Sequence, residues 1–380
     1  MKRKFIIGVI LIIITFIGSV FLSKYYFDSS IKNTNKNNSI KSNTSYEKEN
    51  NEKEPIEQTV KEDDNQSKND SVDDNEEFSI KLSFAGDTML ASYKDQTTPG
   101  SFNDYVNKKD ENYFLEKVSN IFKEDDFTIL NLENVLTDQA LPEVSKNTDP
   151  AYWYKSKTSN INILSSSSGE GVSVSNNHTG DYGKEGKQDT INAIVNANMQ
   201  YGDYNHIMYF KKNNYTIAII CKGLWIESQA NDIIKLIKNA KEKSDYQIIF
   251  FHGGKERIHH PEDWKIRATR KLIDNGADLV VGSHPHVIQP REIYKEKEIV
   301  YSLGNFCYGG NKGPENRTII YQINLTIDNN TKELIKEESN IIPCYVYTGN
   351  TNNYQPAPIE KESIKNKVID FMNWKIDSPL

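Results

Sequence analysis

Hydrophobic and polar positions divide the chain into three textures. Phe5 to Leu22 is a continuous run of 18 apolar, Gly, Ser and Thr residues without a charge. At about 1.5 Å rise per residue, that run is long enough for a short helix across a bilayer. Residues 27–77 are mostly Asn, Lys, Ser, Glu and Asp. Their few apolar side chains cannot offset the entropy of ordering the segment. From Phe78 onward, short apolar runs and amphipathic stretches alternate, as in a folded domain.

Within that domain Ile80, Leu82 and Phe84 alternate with polar residues and predict a strand that Gly86-Asp87 breaks. Phe127–Glu133 and Gly171–His178 predict the next two strands, and Tyr215–Cys221 a fourth. Tyr246–Phe251 is apolar and ends at His252, and Ala277–Val281 leads into Gly282-Ser283-His284-Pro285-His286. Ile299–Leu303 is one more strand, stopped by Gly304-Asn305. Helices fall between them. Ile191, Ile194, Val195 and Asn198 recur at helical spacing over Asp189–Met199. Ile233, Ile234, Ile237 and Ala240 mark one face of Asn231–Lys243. Asp263–Asn275 reads as a helix with Gly276 as its C-terminal cap. Ile319, Tyr321, Ile323, Leu325 and Ile327 alternate within Arg317–Ile342, an antiparallel continuation, and Ile364, Val368, Phe371 and Met372 mark a C-terminal helix. Alternating strands and helices indicate an α/β domain.

Composition narrows the function. A formal charge of −7 over 380 residues argues against a general nucleic-acid binder, which needs a basic face for phosphates. Cys221, Cys307 and Cys344 are far apart and form no C-x-x-C, so neither a disulfide framework nor a thiolate zinc site is expected. Cys221 reads as core packing. Lys2-Arg3-Lys4 before the apolar run favours a cytoplasmic N-terminus. Phe21-Leu22-Ser23-Lys24-Tyr25-Tyr26 lacks the small-residue pattern of a cleavage site, and no cysteine follows to carry a lipid. These features predict a cytoplasmic stub (1–4), an uncleaved signal anchor (5–23), a disordered extracellular tether (24–77) and one folded extracellular domain (78–380).

The polar residues of that domain are unusually placed. Asp87, Glu133, Asn177, His178, His252, His284 and His286 each stand at or just beyond a predicted strand's C-terminal end. That edge of an α/β sheet is where ligands bind. Two histidines one residue apart can bring two imidazoles to one point, and neutral imidazole is the commonest protein metal ligand. Taken singly, each has a plainer explanation, as a helix cap, a turn residue or a hydrogen-bonded core histidine. Together they form an oxygen and nitrogen set suited to a dinuclear Zn, Mn or Fe centre in metal-assisted attack at a phosphoryl group. The absence of cysteine argues against structural zinc. Asp73-Asp74-Asn75-Glu76-Glu77 reads as a solvated charge run, His259-His260 as a solvated loop before Pro261, and His206 as a surface residue.

In order and spacing, several motifs resemble the CapA/PgsA proteins of poly-γ-glutamate capsule synthesis, a branch of the calcineurin-like metallophosphoesterases. They are Gly86-Asp87-Thr88-Met89-Leu90, Asn131-Leu132-Glu133, Asn176-Asn177-His178 with Asp181-Tyr182-Gly183, and His252-x-Gly254-x-Glu256. Gly276-Ala277-Asp278 leading to Gly282-x-His284-Pro285-His286 and Tyr301-Ser302-Leu303-Gly304-Asn305-Phe306 complete the set. The resemblance implies a sandwich of two central sheets flanked by helices, on the outer face of the membrane of a Gram-positive bacterium. It implies two divalent ions (Mn, Zn or Fe), with Asp87 and His286 on the first, Asn177, His252 and His284 on the second, and Glu133 bridging. His178, oriented by Asp181, would act at the leaving oxygen or the developing charge. Glu256 and Asn305 would line the site. Implied partners are membrane polyglutamate synthase subunits and an anionic polymer or phosphoester. Three departures stand out: Met89 occupies the place of an expected histidine ligand, Glu133 replaces the usual aspartate, and Gly253 stands where a tryptophan is common. The stretch between Pro261 and Ala268 also lacks a usual glutamine. Three readings stay open: a metal-dependent hydrolase of capsule synthesis, a non-catalytic polymer- or synthase-binding scaffold, and a surface phosphatase unrelated to capsule.

Overall fold

The computed structural model describes residues 76–380. The predicted stub and anchor lie outside the described residues, as does all but the end of the predicted tether. Glu77, placed in the tether from sequence, already opens the first strand.

Two sheets stack face to face. The first has eight strands in the order β17 (Ala357–Pro358), β16 (Leu334–Tyr345), β15 (Thr318–Asp328), β1 (Glu77–Met89), β3 (Phe127–Leu132), β6 (Gly171–Ser173) and β7 (Gln200–Gly202). Its eighth strand, β14 (Asn305–Tyr308), runs parallel to the end of β1. The second sheet has six strands, in the order β12 (Ile288–Tyr294), β13 (Lys297–Leu303), β11 (Leu279–Ser283), β10 (Tyr246–His252), β9 (Tyr215–Gly223) and β8 (Met208–Lys212). Pairing is parallel from β1 through β3 and β6 to β7 and from β9 through β10 and β11 to β13, and antiparallel from β1 through β15 and β16 to β17, at β12–β13 and at β8–β9. A small sheet of β2 (Ser92–Tyr93), β5 (Tyr154–Ser156) and β4 (Val135–Leu136) stands beside them. The four longest helices are α1 (Gly183–Asn196), α2 (Ala230–Lys241), α3 (Asp263–Asp274) and α4 (Glu362–Met372).

Alternate residues explain the stacking. Ile80, Leu82 and Phe84 of β1 share one buried cluster with Ile217 and Ile219 of β9, Ile248 and Phe250 of β10 and Val281 of β11. Phe84 meets Phe250 edge-on, ring centroids 5.6 Å apart. The opposite faces of β9, β10 and β11 offer Ile220, Ile249 and Val280 to Ile233 and Ile237 of α2 and Leu272 of α3. Both faces of these strands are therefore dry, which is why they read as unbroken apolar runs. Each large side chain so buried stabilises the fold by roughly 1.5–3 kcal/mol. Gly276 ends α3 as expected. Its φ is +103°, its N–H donates to Ile273 O (3.0 Å), and Ala277 N donates to Leu272 O (3.1 Å), the paired bonds of a left-handed cap.

Three expectations need correction. Gly86-Asp87 does not break β1, which runs on to Met89 with only a shift of register against β3. Glycine stands at 86 because the backbone of Gly304 passes close by: a Cβ there would lie 1.9 Å from Gly304 O. β13 does end at Leu303, and Gly304, with φ +77°, carries the chain from the second sheet into β14 of the first. Second, the Gly171–His178 strand ends at Ser173, beyond which Thr179 Oγ1 donates to Val174 O and the chain turns. Third, the helix expected at Asp189–Met199 is α1, starting six residues earlier. It buries Gly186, Thr190, Ala193 and Ile194 and leaves Val195 exposed. Small residues fit there because a Cβ on Gly186 would come within 2.9 Å of Tyr182 and Val135.

At the N-terminal ends of the first sheet's parallel strands, Thr128 joins two acids. Its N–H donates to Glu170 Oε2 and its Oγ1 to Asp125 Oδ2, both at 2.7 Å. Burial pushes Asp125 up to about 6 and Glu170 up to about 7. The folded state thus holds protons that the unfolded chain releases, so this pair lowers stability as pH rises from about 4 through 7. Asp125→Asn combined with Glu170→Gln is expected to raise Tm at about pH 8 by a few degrees and to leave it nearly unchanged at about pH 5. Thermal unfolding followed by circular dichroism reads this directly. An equal effect at both pH values would contradict it.

Candidate metal centre

The site forms where the C-terminal ends of β1 and β3 meet those of β10 and β11. Asp87 is fully buried and lies level with Asn131 and Asn305 on its two neighbours. Its Oδ1 accepts from Asn131 Nδ2 (2.9 Å) and its Oδ2 from the backbone N–H of His284 (3.1 Å). Glu133, just past β3, is also fully buried. His252 is the last residue of β10, and His284 and His286 follow β11. Both of the latter have left-handed backbones, φ 98° and 59°. That conformation costs of the order of 1–3 kcal/mol in a side-chain-bearing residue and persists only where surrounding structure enforces it.

The imidazoles converge. His252 Nδ1 lies 3.0 Å from Ser283 Oγ and 3.1 Å from Asn131 Nδ2. Nε2 therefore turns toward Asn177 Oδ1 (2.8 Å), His284 Nδ1 (3.0 Å) and Glu133 Oε1 (3.5 Å). His286 Nδ1 is 3.2 Å from Asp87 Oδ2 and 3.0 Å from Asn305 Oδ1, with Nε2 3.8 Å from Glu133 Oε1. Ligand atoms of Glu133, His284 and His286 lie within 4.8 Å of one another, as do those of Asp87, Glu133 and His252. Glu133 belongs to both groups. By direct distance His286 stands with Asp87 (3.2 Å), and His252 with Asn177 and His284 (2.8 and 3.0 Å).

The electrostatics fit a cation. Both Glu133 oxygens are buried without a hydrogen-bond partner among the described residues. A carboxylate so placed is strongly unfavourable unless a positive charge joins it. Burial pulls His286 down, but the Glu133 and Asp87 carboxylates outweigh it and hold its imidazole up at about 9. His284 falls well below its ordinary value, through burial and the neighbouring His252 and His286. Burial opposes the charge on Asp87, but the hydrogen bond from His286 outweighs it and holds that carboxyl below its ordinary value. The proton on His286 thus stands where a divalent cation would carry more charge. Oxygen and nitrogen donors without thiolate suit Mn, Zn or Fe.

A cleft of about 680 Å³ opens beside the cluster, lined by His178, Asn177, His286, Asn305, Glu256 and Arg257. His178 Nδ1 is 2.8 Å from Asp181 Oδ2. Asp181 also accepts from Tyr154 N (2.8 Å) and pairs with Lys146 Nζ at 2.5 Å. Sequence reasoning placed Glu256 and Asn305 at this site, and they line the cleft.

It assigned no role to five residues the fold puts here. Asn131 and Asn176 form a buried amide chain, Asn176 Nδ2 donating to Asn131 Oδ1 (3.2 Å) and to Leu132 O (2.8 Å). Both lie inside the quoted motifs, so position was the available signal. Lys146 sits in a turn-rich loop and carried none. Trp225 sets its ring against His284 (4.8 Å) and His252 (5.7 Å), and Tyr308 against His286 (5.0 Å).

The departures also have physical reasons. A Cβ on Gly253 would lie 1.8 Å from Leu224 O, so no tryptophan fits there. Met89 is buried with Ala91, Tyr154, Tyr308 and Val346, filling apolar space. In the stretch without a glutamine, Lys265 is buried and donates to Gln289 Oε1 (2.8 Å), and burial lowers it to about 8. Of the two other histidine readings, His206 and His260 are exposed as expected, whereas His259 is half-buried.

Residues 81–309 match the family described as bacterial capsule synthesis protein PGA_cap, and the chain belongs to that family. It is 27% identical over 314 residues to the PGA biosynthesis protein CapA of Bacillus subtilis (strain 168), covering 76% of each chain. It is 25% identical over 319 residues to the capsule biosynthesis protein CapA of Bacillus anthracis, covering 76% of this chain and 72% of that one. Among solved structures it is similar to a novel phosphatase of Mycoplasma pneumoniae, at 16% identity and a TM-score of 0.42, over 70% of this chain and 94% of that one.

Proposed function

We propose that this chain is a membrane-anchored accessory protein of poly-γ-glutamate capsule synthesis with a metallophosphoesterase-type sandwich and a dinuclear metal site. The carrying observation is Glu133, a buried carboxylate with neither oxygen hydrogen-bonded among the described residues, facing His252 and His286. Asp87, Glu133, Asn177, His252, His284 and His286 would hold the ions. Bound there, divalent cations lower the pKa of water and stabilise an oxyanion at a phosphoryl or amide-type centre. The chain's own part is to hold that centre. Asn131 and Ser283 orient His252, while Asp181 turns the free edge of His178 toward the cleft to move a proton at the reacting oxygen. The relatives' names and the apolar run at Phe5–Leu22 support the placement beside membrane synthase subunits, with the domain extracellular.

Purified protein is expected to carry about two divalent ions per chain and to hydrolyse a generic phosphodiester. Cells making the polymer should lose it when His284→Ala replaces the parent chain. Metal-free protein that still supports polymer production would overturn the catalytic reading. One observation favours a second reading, a polymer- or synthase-binding scaffold: Met89 occupies the place of an expected histidine ligand and is turned into an apolar cluster.

A further inference from the structure

His259 makes two contacts that only its protonated form satisfies together. Its Nδ1 lies 3.0 Å from Ile288 O and its Nε2 2.9 Å from Glu315 Oε1. A backbone carbonyl and an ionised carboxylate are both acceptors only, and a neutral imidazole has a single N–H. With that proton on Nδ1, the Nε2 lone pair would face a carboxylate oxygen that is buried and has no other donor among the described residues. With it on Nε2, a neutral hydrogen bond to Glu315 replaces the ion pair and the Nδ1 lone pair faces Ile288 O. The two contacts are attractive together only when both ring nitrogens carry hydrogen. Imidazole outcompetes a carboxylate for that proton, since their ordinary values are about 6.5 and 4.3.

Glu315 lines the cleft with Asn311 and Pro314. The chain on either side of it is tied down. Asn352 Nδ2 donates to Asn311 O (3.1 Å), and Asn316 exchanges hydrogen bonds with the backbone of Tyr347 (3.1 and 3.0 Å). Between them, Gly313 N–H donates to Asn311 Oδ1 within the turn (3.0 Å), Pro314 is buried, and the Glu315 side chain reaches out to His259. We propose that protonated His259 latches the Lys312–Glu315 turn at this wall of the cleft, and that deprotonation loosens it, so that the cleft opens as pH rises.

The groups facing His259 support that direction. Glu315 is the charged one. β12 presents the Ile288 carbonyl, α4 the ring of Phe371 at 5.5 Å, and its own loop His260, whose ring lies against Phe371 and Trp374. Burial pulls the His259 imidazole down, but the hydrogen bond and charge of Glu315 outweigh it and raise it above its ordinary value. A folded-state value raised in this way makes the latch complete below the unfolded value of about 6.5 and lost as pH climbs through the folded one.

Nitroxide labels on Lys255→Cys and Lys312→Cys in the full chain read the opening, because the three native cysteines are buried. The label distance is expected to be short and narrow at about pH 6 and longer and broader at about pH 9. Glu315→Ala should be long and broad at both. Glu315→Gln should be short at both, since its amide can donate to the neutral Nε2. An unchanged distance across that pH range in the parent, or a Glu315→Ala distribution matching the parent at the lower pH, would overturn the latch.

Discussion

Glu133→Gln is expected to strip most of the divalent metal from the purified protein and, in the metal-free state, to make it more stable than the parent. The two effects have one cause. Glu133 is fully buried, its oxygens have no donor among the described residues, and imidazole nitrogens of His252 and His286 stand at 3.5 and 3.8 Å. Without a cation the carboxylate carries an under-compensated buried charge. Glutamine keeps the shape and removes that charge, for a gain of about 1–3 kcal/mol. With metal the order reverses. A ligand that binds only the folded state stabilises by about 2.7 kcal/mol at a hundredfold excess over its Kd. The variant lacks the carboxylate common to both ligand groups and forgoes that gain. Thermal unfolding of both proteins, with chelator and with added Mn or Zn, should therefore give curves that swap order. Metal analysis of the same samples supplies the occupancy. Two proteins with equal metal content, or a parent that is the more stable under chelator, would sink the metal reading.

His178→Ala is expected to lower phosphodiester hydrolysis by roughly 10²–10⁴-fold, the usual contribution of a positioned acid or base, while leaving metal content unchanged. The separation follows from geometry. His178 belongs to neither ligand group, and its Nδ1 is taken by Asp181. Asp181→Asn should follow it in direction, because the amide can present its N–H to Nδ1 and hold the ring in the wrong tautomer. Asn177→Ala is the control, one residue away but 2.8 Å from His252 Nε2, and it should lose metal. Loss of metal in His178→Ala would make His178 a ligand instead, and unchanged hydrolysis would remove it from the mechanism.

The parts of the fold legible in the sequence were those where burial is simplest. β9, β10 and β11 are dry on both faces, so their apolar runs stand out with nearly the right bounds. α2 buries Ile233, Ile234, Ile237 and Ala240, the face its periodicity marks. α1 was displaced because its buried face is built from Gly186, Thr190, Ala193 and Ile194, small residues chosen for close approach to Val135 and Tyr182. A pattern of large apolar residues cannot register that. The strand past Gly86 was missed for a related reason. A glycine there reads as a breaker, whereas it is needed because Gly304 O lies where a Cβ would be.

Sequence alone singles out Asp87, Glu133, Asn177, His252, His284 and His286, as polar side chains at or just beyond the ends of predicted strands. The chain order also determined which strands could carry them to one edge. Only the tertiary structure decided the distances. Gly304 brings Asn305 beside Asp87, left-handed backbones at 284 and 286 fold both imidazoles inward, and Lys146 and Trp225 arrive from loops without any local signature. It also decided that Glu133 has no hydrogen-bond partner among the described residues and that His259 has two, both acceptors. Periodicity along a chain records which side chains must leave water, whereas satisfaction of a buried charge depends on groups far apart in sequence and is settled only when they meet.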